Sequence, residues 1–218
     1  MFTAAIFDMD GLLIDSERPI MAAWMAAAQE IGIEISTEQY LAVVGRASPD
    51  SKAILSVLLG GLDPFERTLT RVRMLLMAGA GPAFFHLKPG AVALLNCLRE
   101  RGVPCAVASS SGRAEILHRL ESVEILDRFS TIAGGDEVAR AKPDPSLYRL
   151  AASRLGVDPS ACIAFEDSEN GTMAALNAGM RVVVVPDLKA PSGPVLARSF
   201  LTLGSLGEAL DHVPAWFP

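Results

Sequence analysis

Four short apolar runs, each followed by an acidic, hydroxyl-bearing or proline residue, constrain the fold of this chain more than any other feature. The runs cover residues 4–7, 103–108, 161–165 and 182–185. Continuous apolar runs of this length are typical of strands that are buried on both faces of a parallel sheet. The chain is therefore expected to contain a parallel sheet whose strands lie far apart in the sequence.

Helical segments separate these runs. Apolar spacing, favourable first residues and terminal glycines predict helices over 90–101, 145–155 and 170–178. Strands that alternate with helices predict a doubly wound, Rossmann-like α/β sheet. Because ligands bind beyond the carboxyl ends of the strands in such sheets, the polar residues that follow the runs are expected at one common edge.

The stretch from residue 16 to residue 85 departs from this alternation. It is far longer than the roughly 2 to 6 residues of a usual strand-to-helix connection. Its apolar residues recur at helical spacing in four segments, 20–31, 38–44, 49–59 and 65–77. We therefore expect an inserted α-helical cap domain at 16–85 and an α/β core domain at 1–15 and 86–218, with a last helix around 206–212.

Charge and cysteine content limit the classes of partner and compartment. The formal net charge is −6 and the sequence shows no run of Lys or Arg, so a nucleic-acid partner is not expected. Cys97, Cys105 and Cys162 lie in apolar surroundings, typical of buried thiols in a reducing compartment. Without a basic leader or an apolar stretch of about 20 residues, we expect a cytoplasmic protein without membrane association. The oligomeric state is left open, and a monomer is compatible with the sequence.

Acidic pairs follow two of the runs. Asp8 comes directly after the first run with Asp10 two positions on, and Glu166 and Asp167 follow the third. Each pair alone is also common in turns or at helix starts, whereas together they indicate a nucleophile, a general acid or base and a metal site. Two like charges about 4 Å apart repel by roughly 4 kcal/mol, so a cation is needed, and carboxylate oxygens favour Mg²⁺. The three histidines follow none of the runs, which disfavours zinc or a histidine nucleophile.

Hydroxyl and amine groups complete a phosphate site in this interpretation. Ser109, Ser110 and Ser111 follow the second run, where hydroxyl and backbone N–H donors can hold an anion, although such clusters also occur in plain loops. Lys142 precedes two prolines that stiffen its loop, which favours a fixed ammonium over a solvated surface lysine. A fixed ammonium can neutralise charge on a nucleophile and on a phosphoryl group.

Taken in order, these segments resemble the four motifs of the haloacid dehalogenase (HAD) superfamily. The segments are FDMDGLLIDSE at 7–17, ASSS at 108–111, KPDP at 142–145 and FEDS at 165–168. The insertion resembles the helical cap of the branch that includes β-phosphoglucomutase and many sugar-phosphate phosphatases. The resemblance covers nearly the whole chain and implies an Mg²⁺-dependent enzyme that acts on a small phosphorylated metabolite.

The resemblance implies catalytic roles for four residues. Asp8 would attack phosphorus and form an aspartyl-phosphate, and Asp10 would protonate the leaving oxygen and then activate water. Ser109 would hold a phosphoryl oxygen, and Lys142 would bridge Asp8 and the phosphate. Because dehalogenase members lack the second aspartate, Asp10 favours phosphoryl transfer over halide displacement.

The resemblance also implies a metal site. Mg²⁺ would be bound by the Asp8 carboxylate, by the Asp10 backbone carbonyl and by Asp167, directly or through water. Glu166 is predicted as a further ligand.

Three residues are predicted to contact the substrate. Ser110 belongs to the serine cluster, Arg46 lies in a cap loop where it could bind a second anionic group, and Glu17 could bind substrate hydroxyls. Arg71 is a weaker candidate, and a solvated surface role is an equally good interpretation for both arginines. The substrate itself stays open among hexose phosphates, phosphoglycolate and nucleotides.

Three functions share this predicted machinery. A phosphatase is favoured, because the mutase pattern has a histidine in the early cap helix at the position of Ile20. A β-phosphoglucomutase-type phosphomutase is the first alternative. A phospho-accepting signalling receiver is the second, but receivers are much shorter and have no cap. The sequence therefore predicts a phosphoric monoester hydrolase.

Overall fold

The computed structural model describes residues 1–44, 48–78 and 85–218. Contacts within the chain divide it into two compact units, one formed by Met1–Ile14 with Leu87–Pro218 and the other by Asp15–His86. The first unit carries the large sheet, and the second is built mainly from helices. No helix among the described residues combines the length and apolar character that a membrane crossing needs.

A parallel sheet forms the centre of the first unit. The strands of the chain are β1 (Ala4–Phe7), β2 (Ile14–Asp15), β3 (His86–Leu87), β4 (Cys105–Ser109), β5 (Thr131–Gly134), β6 (Cys162–Glu166), β7 (Arg181–Val184) and β8 (Leu201–Thr202). The strand order in the large sheet is β5-β4-β1-β6-β7-β8 with parallel pairing throughout the described residues, and β2 pairs with β3 in a small separate sheet. The predicted doubly wound parallel sheet is confirmed.

Strand β1 occupies the centre of the large sheet, between β4 and β6. From β1 the chain fills one side with β4 and β5, and it then crosses over to build β6, β7 and β8 on the other side. The order therefore reverses between β1 and β6, and such a switch point leaves a crevice beyond the carboxyl ends of the strands. The residues that follow β1 and β6 lie where a ligand site is expected.

Burial explains why the central strands could be predicted and the outer ones could not. Strands β1, β4 and β6 are buried along their whole lengths, and Phe7 stacks on Phe165 of the neighbouring strand with ring centroids 4.7 Å apart. Strand β5 has only two consecutive apolar residues, Ile132 and Ala133, and β8 consists of two residues. Neither makes the unbroken apolar run that a fully buried strand requires.

Helices dominate the unit formed by Asp15–His86. They are α1 (Glu17–Glu30), α2 (Thr37–Leu41), α3 (Ser48–Leu58) and α4 (Leu62–Ala78). The unit has an apolar core of its own, in which Trp24 stacks on Phe65 with ring centroids 5.7 Å apart. Each predicted helical segment corresponds to one of these helices with shifted ends. Arg71 makes an ion pair with Glu30 inside this unit, 2.7 Å between Nε and Oε2.

Helices also surround the large sheet. They are α5 (Ala91–Glu100), α6 (Arg113–Ser122), α7 (Ser146–Leu155), α8 (Glu169–Asn177), α9 (Gly193–Leu196) and α10 (Val213–Trp216). The helix predicted around 206–212 is instead a 3-10 helix, Leu206–Asp211, followed by α10. Pro214 has no N–H to continue a helical ladder, but it fits the first turn of a new helix.

Candidate active site

The register of the central strands brings two carboxylates to the same level of the sheet. Phe7 of β1 lies opposite Phe165 of β6, so Asp8 and Glu166 follow side by side. The Asp8 N–H donates a hydrogen bond to the Phe165 carbonyl, 3.0 Å away. Ser109 ends β4 on the other side of β1. All three of these polar side chains are buried.

Lys142 connects the two carboxylates. Its Nζ lies 2.5 Å from Asp8 Oδ1 and 2.6 Å from Glu166 Oε1. The lysine is itself buried, and its ammonium lies over the ring of Tyr148, 5.0 Å from the centroid. The fold therefore brings together three predicted site residues that are widely separated in the sequence.

Both carboxylate oxygens of Glu166 accept hydrogen bonds. Oε1 accepts from Lys142 and from the Tyr148 hydroxyl, each 2.6 Å away. Oε2 accepts from the backbone N–H of Asp167 at 3.1 Å and of Ser168 at 3.2 Å, and from the Ser168 hydroxyl at 3.1 Å. These contacts hold Glu166 in one orientation between Lys142 and the start of α8.

Burial and charge act against each other on these groups. Burial raises the pKa of Asp8 from 3.8 to about 8 against the opposing effect of Lys142, and repulsion from Glu166 and Asp10 adds to the rise. Burial also opposes ionisation of Glu166, but Lys142 and the hydrogen bonds keep the pKa of Glu166 below its usual value. Burial would lower the pKa of Lys142, but the two carboxylates raise it. The lysine is therefore a cation shared by two acids.

Asp167 adds a third carboxylate to this group. Oxygen atoms of Asp8, Glu166 and Asp167 lie within 4.8 Å of one another, a spacing that one cation can bridge. When all three carboxylates are ionised, they and the Lys142 ammonium carry two negative charges in excess, which a divalent cation would balance. Gly11 packs closely against this group. A β-carbon at this position would lie 2.4 Å from Asp167 Oδ2 and would displace the carboxylate. The donors present therefore fit a hard divalent cation.

Asp10 contacts a different set of side chains. Its Oδ2 accepts hydrogen bonds from the Ser111 hydroxyl at 3.1 Å and from the Ser109 hydroxyl at 3.4 Å. Its Oδ1 accepts a hydrogen bond from the guanidinium of Arg119 on α6. The Asp10 side chain lies outside the three-carboxylate group, and the predicted metal contact of this residue is through its backbone carbonyl.

The site contains two residues that the sequence motifs do not predict, Arg119 and Tyr148. Arg119 lies on the buried face of α6 together with Ile116 and Leu120. A charged residue at an apolar helical position is a signal that could have identified it, because arginine is rarely buried unless it is paired. Tyr148 on α7 gives no such signal, because a core aromatic residue has the same pattern.

The remaining predicted site residues are the three substrate-binding candidates. Ser110 is exposed and follows Ser109 directly. Glu17 is half-buried and is the first residue of α1 in the helical unit. Arg46 lies outside the described residues. Their contacts with a substrate stay predictions.

Comparisons with known proteins agree with the motifs. Residues 2–179 match the family model described as haloacid dehalogenase-like hydrolase. The chain is 33% identical over 222 aligned residues to hexitol phosphatase B of Escherichia coli strain K12, covering 94% of this chain and 93% of that protein. It is 34% identical over 199 residues to YhcW of Bacillus subtilis strain 168, provisionally named a phosphatase, covering 86% of this chain and 84% of that protein.

The fold also has counterparts among solved structures. A protein of Thermotoga maritima that is provisionally assigned as a β-phosphoglucomutase superposes with a TM-score of 0.81 at 28% identity, covering 97% of this chain and 98% of that one. The phosphatase names of the two relatives support the prediction of a phosphoric monoester hydrolase. Since the family model spans most of the sequence and both relatives align over more than four fifths of their lengths, this chain belongs to the haloacid dehalogenase-like hydrolases.

Proposed function

We propose that this chain is an Mg²⁺-dependent phosphatase that hydrolyses a small phosphate monoester of the sugar-phosphate type through an aspartyl-phosphate on Asp8. The observation that carries the proposal is the buried Lys142 ammonium shared between Asp8 and Glu166, beside Asp167. A buried carboxylate that is paired with a fixed cation next to a candidate metal site is suited to attack a phosphoryl group.

Two half-reactions would use the two aspartates differently. In the first, an Asp8 oxygen forms a bond to phosphorus while the bond from phosphorus to the leaving oxygen breaks, and Asp10 gives that oxygen a proton. In the second, Asp10 takes a proton from water, the water oxygen attacks phosphorus, and the bond to Asp8 breaks. Inorganic phosphate and the free alcohol are the products, and both aspartates return to their starting states.

Lys142 and the serines would hold the transferring group. Lys142 offsets negative charge on Asp8 and on the phosphoryl oxygens, while the Ser109 hydroxyl and the backbone N–H groups between β4 and α6 can donate to those oxygens. Asp8, Asp167, Glu166 and the Asp10 carbonyl would hold Mg²⁺. When bound, Mg²⁺ supplies charge neutralisation and orientation of the phosphate.

The substrate class is inferred from the relatives. Hexitol phosphatase B acts, by its name, on a phosphorylated hexitol, which supports a polyol or sugar phosphate as the substrate here. The likeness to a provisionally assigned β-phosphoglucomutase favours a phosphomutase as the second candidate. Ile20 stands where the mutase pattern has histidine, and this difference favours water as the final phosphoryl acceptor.

A panel of phosphorylated metabolites, assayed for released phosphate, tests the proposal. The panel contains sorbitol 6-phosphate, hexose 6-phosphates, phosphoglycolate, nucleotides and β-glucose 1-phosphate. We expect phosphate release from at least one polyol or sugar phosphate, and no conversion of β-glucose 1-phosphate to glucose 6-phosphate. Conversion of β-glucose 1-phosphate without phosphate release would show a phosphomutase and not a phosphatase. Inactivity on the whole panel would overturn the proposal.

A further inference from the structure

Arg119 is a buried arginine in direct contact with the proposed acid. Its side chain is 11% exposed, and its guanidinium donates hydrogen bonds to Asp10 Oδ1 and to Glu115 Oε1 on the outer side of α6. The other carboxylate oxygen of Asp10, Oδ2, accepts a hydrogen bond from the Ser111 hydroxyl. Donors from α6 and from the connection that precedes it therefore contact both oxygens of the Asp10 carboxylate.

Packing alone does not account for a charge at this position of α6. Ile116 and Leu120, three residues before and one after Arg119, are both fully buried. A leucine or methionine would complete this apolar face without the desolvation penalty of a guanidinium. Among the contacts described, the one that Arg119 makes within the candidate site is with the Asp10 carboxylate.

We propose that Arg119 is a positioning residue, which orients the Asp10 carboxyl group for proton transfer to the leaving oxygen as the phosphorus–oxygen bond breaks. The inference rests on the proposed function. Proton transfer needs the donor and acceptor heavy atoms to be about 2.6–3.2 Å apart. The carboxyl group of an aspartate can rotate about two single bonds, so it meets this distance only if its orientation is held. Hydrogen bonds from Arg119 and Ser111 to opposite oxygens restrict both rotations. A misplacement of about 1 Å is enough to slow a reaction by roughly 10²-fold.

The dependence of the rate on the leaving group tests this role. Phenolate is a poorer leaving group than p-nitrophenolate, so hydrolysis of phenyl phosphate depends more on a proton from Asp10. We expect Arg119→Met to lower kcat on phenyl phosphate by roughly 10²-fold and on p-nitrophenyl phosphate by much less, with little change in either KM. Arg119→Lys keeps a cation that can reach the carboxylate and should recover part of the loss.

Arg128→Met is the matched control. Arg128 is also a partly buried arginine of the sheet-bearing unit, 18% exposed, and it contacts Asp127 and Asn96 rather than the site. Its loss should leave the ratio of the two rates unchanged. Circular dichroism and the melting temperature verify that each variant is folded, and Arg119→Gln replaces Arg119→Met if the latter does not fold.

The possible outcomes separate this inference from the proposed function. A folded Arg119 variant that loses the same factor on both esters would show a general structural role and overturn the positioning role alone. A wild type that hydrolyses neither ester and no member of the metabolite panel would overturn the proposed function and this inference with it. A selective loss on phenyl phosphate, partly restored in Arg119→Lys, supports both.

Discussion

At the scale of single residues, the Lys142 ammonium pairs with two buried acids at the same time. Its Nζ donates to Asp8 and to Glu166, and Glu166 accepts further hydrogen bonds from Tyr148 and from the start of α8. Asp8 has fewer compensating contacts of this kind, and its pKa is raised while that of Glu166 is lowered. Of the two acids, Asp8 is therefore the harder to ionise. It is also the proposed nucleophile and lies next to the proposed metal site.

Replacing Asp8 by Asn should abolish turnover and change how stability depends on pH. We expect kcat to fall by roughly 10⁴-fold or more, because the nucleophile is lost with little change in volume. In metal-free protein, folding raises the pKa of the Asp8 carboxyl from 3.8 to about 8. The stability that this group contributes is therefore fully present below pH 3.8, and it is lost as the pH rises through about 8. The Asn variant should therefore gain stability relative to wild type as the pH rises.

Melting temperatures of both proteins in EDTA, at about pH 5 and about pH 9, measure this difference. The advantage of Asp8→Asn should be larger at the higher pH. An advantage that is equal at both values would contradict the raised pKa, and substantial residual turnover would remove Asp8 from the mechanism.

Tyr148→Phe removes one hydrogen bond to Glu166 and keeps the aromatic ring beside Lys142. We expect kcat to fall by about 10-fold, because the orientation of Glu166 and of the lysine it holds becomes less restricted. The free energy of unfolding should fall by only about 1 kcal/mol, since Glu166 keeps its other four hydrogen bonds. Kinetics and urea unfolding measure the two effects.

Tyr40→Phe is the control, because Tyr40 is a similarly buried tyrosine in the helical unit. It should leave kcat near the wild-type value. A fall in kcat that is the same in both variants would mean that the hydroxyl of Tyr148 has no specific role.

At the scale of elements, the start of α8 is packed directly against the Glu166 carboxylate. A β-carbon on Gly171, in the first turn of α8, would lie 1.8 Å from Glu166 Oε1. Ser168 caps the helix by accepting a hydrogen bond from the Gly171 N–H at 3.2 Å. The positive end of the helix dipole thus lies close to a buried negative charge and stabilises it.

Gly171→Ala should damage both stability and activity. The added methyl group cannot be accommodated unless Glu166 moves, and overpacking of this kind costs about 1–3 kcal/mol of unfolding free energy. We expect kcat to fall as well, because Lys142 is held by the displaced carboxylate. Gly193→Ala at the start of α9, where an added β-carbon meets no atom within 4 Å, should change neither quantity. A fully active Gly171→Ala would show that the position of Glu166 does not matter.

The elements also show what could be predicted from the sequence. Unbroken apolar runs identified β1, β4 and β6, and the parallel arrangement then implied that Asp8, Ser109 and Glu166 share an edge. The contacts of Arg119 and Tyr148 depend on how α6 and α7 are rotated against the strand ends, and hydrophobic periodicity defines a helix face without defining its polar contacts. The short strands β5 and β8 lack a pattern that distinguishes them from loops.

At the scale of the whole molecule, the candidate metal site exists only in the folded chain, because its carboxylates come from the ends of β1 and β6. A ligand that binds only the native state stabilises it, by about 2.7 kcal/mol at 100 times its Kd. We therefore expect Mg²⁺ to raise the melting temperature of the wild type, and EDTA to lower it and to stop turnover until Mg²⁺ is added back.

Asp167→Asn should reduce the Mg²⁺-dependent rise in melting temperature, whereas Asp127→Asn, at an acid that is 68% exposed and outside the cluster, should not. Turnover and melting that are both insensitive to EDTA would contradict the metal site. Differential scanning calorimetry with and without Mg²⁺ makes the comparison.

The central place of β1 also has a consequence for how the protein is made. The strand that presents Asp8 pairs on one side with residues from Cys105 onward and on the other with residues from Cys162 onward. At about 5–20 residues per second, a ribosome needs roughly 8 to 31 s to travel from Phe7 to Cys162. During that interval the apolar strand has no β6 to pair with, while the intervening helical segment can already fold through local contacts. The nascent chain therefore completes its candidate site late in synthesis, and until then β1 is an apolar segment without its β6 partner, open to binding by chaperones.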